Sequence, residues 1–329
     1  MKSRIANSKL HISTCLVLLI VVTAAPVWAY VTSRMTSVNG SPVQQRWAAG
    51  FFPIRWQMNP TRGPNITGTP EQTDIFRQSF ASWQAVSTAS IAFTEGPVTA
   101  AATRPGYDAV NLVSTNLSQT EFNVFGANAL AFTVVFAATE GGFVDQFNRP
   151  VDFAGQIMDA DIVFNPSIQF STESVTPSDK IDLQSVAAHE IGHLLGLDHT
   201  TLLSSVMFPT VTTGVNFPRA LSLDDMAGIS TIYPNGAFGA KGTISGTVRT
   251  TSNAVVYGAI VVAVNGNGQP AASAITDAAG KYTIAGLDAG PYTIYAEPMD
   301  GPIVKANIPS LEVLNPGAVV FQNFTTRFR

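Results

Sequence analysis

An α+β domain followed by a small all-β sandwich is the architecture the sequence predicts, and three observations carry it. Before Gly236, strand-like apolar runs stand among stretches of helical spacing, of which Ile75, Phe76, Phe80, Trp83 and Val86 are the plainest. After Gly236 only short strands are expected, evenly spaced and separated by glycine-bearing turns. The chain has 329 residues, 46% of them apolar and 12% charged, which suits one or two folded domains with sizeable cores.

Residues 1–29 are set apart from the fold. Lys2, Arg4 and Lys9 precede an apolar run from Cys15 to Ala25, and Pro26-Val27-Trp28-Ala29 follows. This is a basic region, an apolar region and a small residue at a cleavage point, the pattern of a signal peptide. The run falls short of the ~20 residues of a membrane span. Export by a cleaved signal is therefore expected over a permanent signal anchor, giving a secreted, extracellular protein with no stable membrane span. Three basic and no acidic residues leave with it, so the formal charge of −4 becomes −7. An acidic chain without a basic face argues against a nucleic-acid partner. The only cysteine, Cys15, leaves too, so the mature chain has no disulfide, no thiol ligand and no reactive thiol.

Residues 30–49 are polar and unpatterned and read as a short arm. Phe51 to Met58 has strand composition, ended by Asn59-Pro60. Thr69-Pro70-Glu71 reads as a helix start, with Thr69 capping and Pro70 at the first position, opening a core-facing helix of about sixteen residues. Ile91–Thr94, Ala109–Val113, Ala129–Ala137 and Met158–Phe164 are further strands. Asp182 places a carboxylate at the positive end of the next helix. Ser222, with Asp225 three residues on, reads as the capping box of a helix running to Ile232-Tyr233.

The helix opened by Asp182 carries the chemistry, in His189-Glu190-Ile191-Gly192-His193-Leu194-Leu195-Gly196-Leu197-Asp198-His199. His189 and His193 are four apart, so at 3.6 residues per turn both imidazoles leave one face and can grip one ion. Glu190, one step round, is placed to meet a water at that ion. His199 would lie about 9 Å further along a straight helix, so the chain must turn back. Gly196 can adopt the positive φ that ends a helix. Three neutral imidazoles and one open position make a catalytic zinc site rather than a closed structural one. An amphipathic helix with incidental histidines is the plain alternative. Against it, every histidine after residue 29 lies in this motif.

The motif H-E-x-x-H-x-x-G-x-x-H resembles the zinc motif of the metzincin metalloproteases. Together with the turn Val206-Met207-Phe208-Pro209 and the stretch Leu221 to Tyr233, it is similar to the matrixins, the matrix metalloproteinase family. The helix carrying Phe80 and Trp83, with Ile91–Thr94 after it, resembles that family's first helix and following strand. The likeness covers roughly residues 50–235. It implies a metzincin-type catalytic domain, with a twisted mixed sheet of five strands, three helices and a cleft above one catalytic zinc. It also implies Met207 in a tight turn beneath the metal, and Ala129–Ala137 as the edge strand that pairs with an extended substrate. Vertebrate matrixins hold a second, structural zinc with histidines in the strand region. Here no histidine lies between His11 and His189, and Phe132 and Asp161 fall where such ligands would be, so a single zinc is expected. No counterpart of the family's latency device, a propeptide cysteine, and no folded prodomain are expected. Calcium held through Asp145, Asp159 or Asp161 is the less favoured reading, because acidic side chains are more often simply solvated.

Asn235 to Gly242 is rich in glycine and reads as a linker over 236–242. It predicts a boundary crossed by few contacts and a separable sandwich at 243–329, with residues 30–236 carrying the whole activity. Thr243–Val248 and Val255–Val264 are strands. The pattern from Thr276 through Tyr282, Gly286, Leu287, Gly290 and Tyr292 to Ile294 resembles the carboxypeptidase regulatory-like, transthyretin-like module. It shows no cluster of acids, bases or ligands. Folding or spacing is its expected role, and binding to carbohydrate or a cell surface is the sharper alternative.

The expectation is thus a monomeric, secreted zinc endopeptidase acting on extracellular proteins or peptides, through a zinc-bound water with Glu190 as general base. The segment from about Phe208 to Arg219 is expected to wall the main side-chain pocket. Two rivals stand beside it: an adhesin or binding protein that uses zinc structurally, and a zinc hydrolase of cell-wall peptides.

Overall fold

A computed structural model describes residues 31–98 and 104–328; the signal peptide expected over 1–29 lies outside them. The chain opens with β1 (Arg34–Thr36) and β2 (Pro42–Gln44), then β3 (Ile54–Met58), β4 (Ile66–Thr67), α1 (Gln72–Gln84), β5 (Phe93–Glu95) and β6 (Asn111–Ser114). It continues through α2 (Gln119–Phe122), β7 (Ala131–Ala137), β8 (Phe143–Val144), β9 (Pro150–Val151), β10 (Ile157–Phe164), β11 (Phe170–Ser171), β12 (Ile181–Asp182), α3 (Leu183–Leu194) and α4 (Leu223–Ile232). The C-terminal part holds β13 (Gly242–Thr247), β14 (Ile260–Asn265), β15 (Pro270–Ile275), β16 (Lys281–Leu287), β17 (Tyr292–Glu297), α5 (Ser310–Leu314) and β18 (Arg327–Phe328).

Five strands form one mixed sheet in the order β5-β3-β6-β10-β7. The first four run parallel, and β7 pairs antiparallel to β10 as the edge strand, Phe164 facing Ala131 and Asp161 facing Val134. All eight residues of β10 are buried, as an interior strand covered on both faces requires. On α1, the stripe Ile75, Phe76, Phe80 and Trp83 is buried as its spacing requires, and Val86, just past the helix end, is buried with it. Its start differs from expectation. The helix begins at Gln72 after Glu71, and Thr69 is drawn away by Glu173, whose carboxylate accepts the Thr69 N–H at 2.7 Å. The helix is accordingly 13 residues long.

Two indoles hold α3 by its backbone. Trp83 Nε1 donates to the Ala188 carbonyl at 2.8 Å, and Trp47 Nε1 donates to that of Leu194 at 2.8 Å. Trp47 is 2% exposed, and its N–H donates to the Tyr233 hydroxyl, which itself donates to the Leu195 carbonyl. Residues 31–49 are therefore not a loose arm. Burying a ring of this size is worth on the order of 3 kcal/mol, and β1 and β2 add a hairpin laid beside the helix end, with Ser33 N–H donating to the Gly196 carbonyl.

The C-terminal sandwich consists of the pair β13-β16 and the sheet β15-β14-β17-β18. Alternate residues of β14 serve two cores, as a strand's two faces allow. Val261 and Ala263 pack inside the sandwich with Ile284 and Leu287, and this cluster takes in Ala227 of α4. Ile260 and Val262 pack on the other face with Ile303, Ile308 and Leu311, and with Val31, Leu202 and Phe208 of the first domain. The expected boundary of few contacts is thus overturned. Residues 236–242 hold a short turn of 3-10 helix at Phe238–Ala240, and the sandwich beyond it is docked on α4 and on the segment after His199. Both faces of β14 are apolar, so a solvated face was not open to it.

Candidate active site

The helix α3 starts where the sequence places it. Asp182 is its cap, accepting from Ser185 N–H at 2.9 Å and from the Ser185 hydroxyl at 2.6 Å. Its buried carboxylate is also paired with Arg219. At the other end, Gly196 takes φ +94°, and a side chain there would meet the Gln45 carbonyl oxygen at 2.4 Å. Leu197 N–H reaches back to the Gly192 carbonyl at 2.9 Å, closing the helix and reversing the chain. His199 is thereby carried to the face on which His189 and His193 already stand.

Among the described residues, these three histidines are the one group of three or more His, Cys, Asp or Glu side chains whose ligand atoms converge, all within 4.8 Å of one another. The Nε2 atoms of His189 and His193 lie 3.1 Å apart. Two imidazoles on one tetrahedral zinc, at Zn–N distances of about 2.05 Å, stand roughly 3.3 Å apart, so the pair fits the ion. Each Nδ1 has a carbonyl: Val206 at 2.7 Å from His189, Leu197 at 2.8 Å from His193, and Asn307 at 2.5 Å from His199. A proton on Nδ1 leaves Nε2 as the free lone pair. Burial lowers the pKa of His189 to about 3 and that of His193 well below its ordinary value, so both rings stay neutral, as metal ligands must be.

Glu190 is buried beside the triad, and its carboxylate accepts the Thr133 hydroxyl at 2.7 Å. Burial pushes its pKa up to about 7, against the opposing effect of that hydrogen bond. Thr133 lies on the edge strand β7, and its oxygen is also 2.9 Å from the Glu190 carbonyl. Met207 is buried at 2% exposure, with its sulfur against Gly192 of α3. The turn that carries it hangs on Asp225. That carboxylate accepts from the N–H groups of Val206 at 2.9 Å and Met207 at 3.2 Å, and from the Ser205 hydroxyl. Asp225 also closes the capping box with Ser222, so one side chain starts α4 and holds the methionine turn.

Above the triad runs a cleft of about 600 Å³. It is bordered by residues 128–133 and Val135 of the edge-strand side, and by Phe208–Val211, Phe217 and Pro218 on the other. The segment expected to wall the main pocket does line the cleft. Arg34, Pro309 and Ser310 line it too, which the sequence reading had not foreseen. Of the residues considered for calcium, Asp145 and Asp161 have both oxygens bonded to other groups, whereas Asp159 is bonded through Oδ2 and its Oδ1 is buried with no hydrogen-bond partner among the described residues. Asp159 accepts from Asp108 and Ala109 N–H, and Asp161 from Gly106 and Leu112 N–H. Asp145 accepts from the Tyr107 hydroxyl and from Arg149.

Comparison with known proteins agrees with this geometry. The family model described as matrixin matches residues 46–234, and that described as carboxypeptidase regulatory-like domain matches residues 243–300. The chain is 46% identical to Metalloendoproteinase 2-MMP of Arabidopsis thaliana over 72 residues, covering 22% of this chain and 18% of that protein. It is 28% identical to Metalloendoproteinase 1 of Glycine max over 204 residues, covering 57% of this chain and 52% of that protein. To Stromelysin-3 of Rattus norvegicus it is 48% identical over 62 residues, 18% of this chain and 12% of the other. The chain therefore spans no more than about half the length of these relatives.

Proposed function

Because the chain belongs to the matrixin family, we propose that it is a secreted zinc endopeptidase in which His189, His193 and His199 hold the metal and Glu190 moves the proton. The observation that carries this reading is the convergence of three imidazoles beside a buried carboxylate, on the floor of a cleft with an edge strand for a rim. A purely structural zinc would have no use for a carboxylate at that place.

When bound, zinc supplies Lewis acidity, which acidifies water towards a pKa of about 7 and polarises a carbonyl oxygen. The chain's own residues do the rest. An extended substrate pairs with the free edge of β7, which sets the scissile bond across the cleft. Glu190, held by Thr133, takes a proton from the attacking water and returns it to the leaving amine. No covalent bond to the enzyme is required, which accords with a chain whose only cysteine is Cys15. The basic and apolar pattern of residues 1–29 supports export, and extracellular protein is the substrate class that export implies.

The test is hydrolysis of casein or gelatin by the purified protein, with and without a chelator, beside Glu190→Gln. Chelator-sensitive hydrolysis by wild type is expected, with one zinc retained and hydrolysis lost in the variant. Wild-type turnover by a zinc-loaded Glu190→Gln would remove Glu190 from the mechanism.

A further inference from the structure

The three histidines do not draw their carbonyl partners from one domain. Val206 and Leu197, which accept from His189 and His193, lie in the same domain as the helix. The acceptor for His199 is the Asn307 carbonyl, 108 residues away and beyond the sandwich strands. Asn307 ends a turn closed twice on Val304. Its N–H donates to the Val304 carbonyl at 2.9 Å, and its Oδ1 accepts the Val304 N–H at 2.8 Å. Ile308, fully buried among Ile260, Val262 and Leu202, anchors the next position.

The polypeptide just after the triad is gripped by the same domain. Asp198 accepts the His199 N–H at 2.7 Å with one oxygen and the Ser310 N–H at 2.8 Å with the other. The Ser310 hydroxyl accepts the Arg34 N–H at 3.1 Å, so residues of both ends of the chain meet at the cleft. Two residues on, Thr200 donates to Asp224 of α4 at 2.7 Å, whose other oxygen accepts the Ser273 N–H of β15 at 2.8 Å. Leu202 and Phe208, flanking the methionine turn, lie in the apolar cluster that the sandwich completes.

We propose that the C-terminal domain is a built part of the catalytic centre, and that Asn307 is a positioning residue which sets the ring of the third zinc ligand. The inference rests on the zinc reading above. A metal-bound imidazole donates its other N–H to an acceptor, which fixes the tautomer and the ring's orientation. His189 and His193 are held by a helix as well as by their acceptors. His199 lies beyond the helix end, so the Asn307 carbonyl and the Asp198 link are its main restraints. The domain therefore acts on zinc retention and turnover, not only on where the protease goes.

The experiment uses the full chain and reads zinc affinity by competition with a chromogenic chelator, alongside melting of the zinc-free protein. Asn307→Ala removes the side-chain arm that closes the turn, and Asn307→Asp keeps an acceptor for the Val304 N–H. Zinc affinity is expected to fall about tenfold in Asn307→Ala, at the low end of the effect of losing such an outer partner. It should return in Asn307→Asp, with zinc-free melting unchanged in both. A second measurement needs no variant. Amide exchange of wild type should show residues 303–310 gaining protection when zinc is added, because coupling between two sites is reciprocal. Unchanged zinc affinity in a folded Asn307→Ala, or protection gained at 189–199 without any at 303–310, would overturn the inference. A wild-type chain that binds no zinc would instead remove the zinc reading on which it stands.

Discussion

Gly192 and Met207 are packed so closely that a methyl group on Gly192 would stand 2.2 Å from the Met207 sulfur, and 3.0 Å from the Trp83 ring. Gly192 lies between the first two histidines, so the floor under the triad is set by a glycine on α3 meeting a methionine from the turn that Asp225 holds. Gly192→Ala must push Met207 or the helix aside in a region where both neighbours are buried. Overpacking of this kind costs about 1–3 kcal/mol. We expect a lower melting temperature and weaker zinc retention, even though alanine favours a helix over glycine. Thermal unfolding with and without zinc checks it; a variant as stable as wild type in both would mean that the floor is soft.

Thr133→Val probes the partner of Glu190. Valine keeps the shape of threonine and removes the donor that now reaches the Glu190 carboxylate at 2.7 Å. A hydrogen bond to a charged group contributes about 1.5–3 kcal/mol. We expect kcat to fall by about tenfold, with zinc content and KM little changed. Steady-state kinetics on a short peptide, with metal analysis of the same sample, decide the point. Loss of zinc, or an unaltered kcat, would mean that Thr133 does not aim the carboxylate.

Much of the site was legible because its determinants are local. The i and i+4 histidines, the glycine turn and the Ser222–Asp225 box all act within a few residues of one another, and the structure brings the histidines together and forms the turn and the box. The strands of the mixed sheet also stand near their expected positions, shifted by one to three residues. What escaped the reading acts across long separations. Trp47 meets Leu194 over 147 residues, Thr133 meets Glu190 over 57, and Asn307 meets His199 over 108. A polar stretch such as 31–49 carries no periodicity that would announce one buried indole. A backbone carbonyl, such as that of Asn307, has no side-chain signature at all. The continuous apolar run of β14 was the one local hint of docking, since a sandwich with a solvated face would have alternated.

Asp145 governs the behaviour of the β8–β9 hairpin in acid. Burial by itself would raise its pKa. The Tyr107 hydroxyl at 2.7 Å, the Arg149 and Phe147 N–H groups and the Arg149 guanidinium outweigh that and hold it at about 2, from an ordinary 3.8. The folded pKa is thus depressed, so the stabilisation is present above the unfolded value and is lost as pH falls from about 4 through about 2. The shift corresponds to at most on the order of 2 kcal/mol, and because the hairpin around Asp145 is exposed, solvent screening reduces that contribution. Asp145→Asn keeps one acceptor oxygen but turns an amide towards the Arg149 guanidinium, setting donor against donor. We expect the variant to be less stable than wild type at pH 7 by no more than that amount. The difference should shrink as pH is lowered from 4 to 2, because wild type loses in acid what the variant never had. Chemical denaturation of both proteins at pH 7, 4 and 2 measures it. A gap that stays constant across the three would place the cost of the substitution in packing rather than in charge.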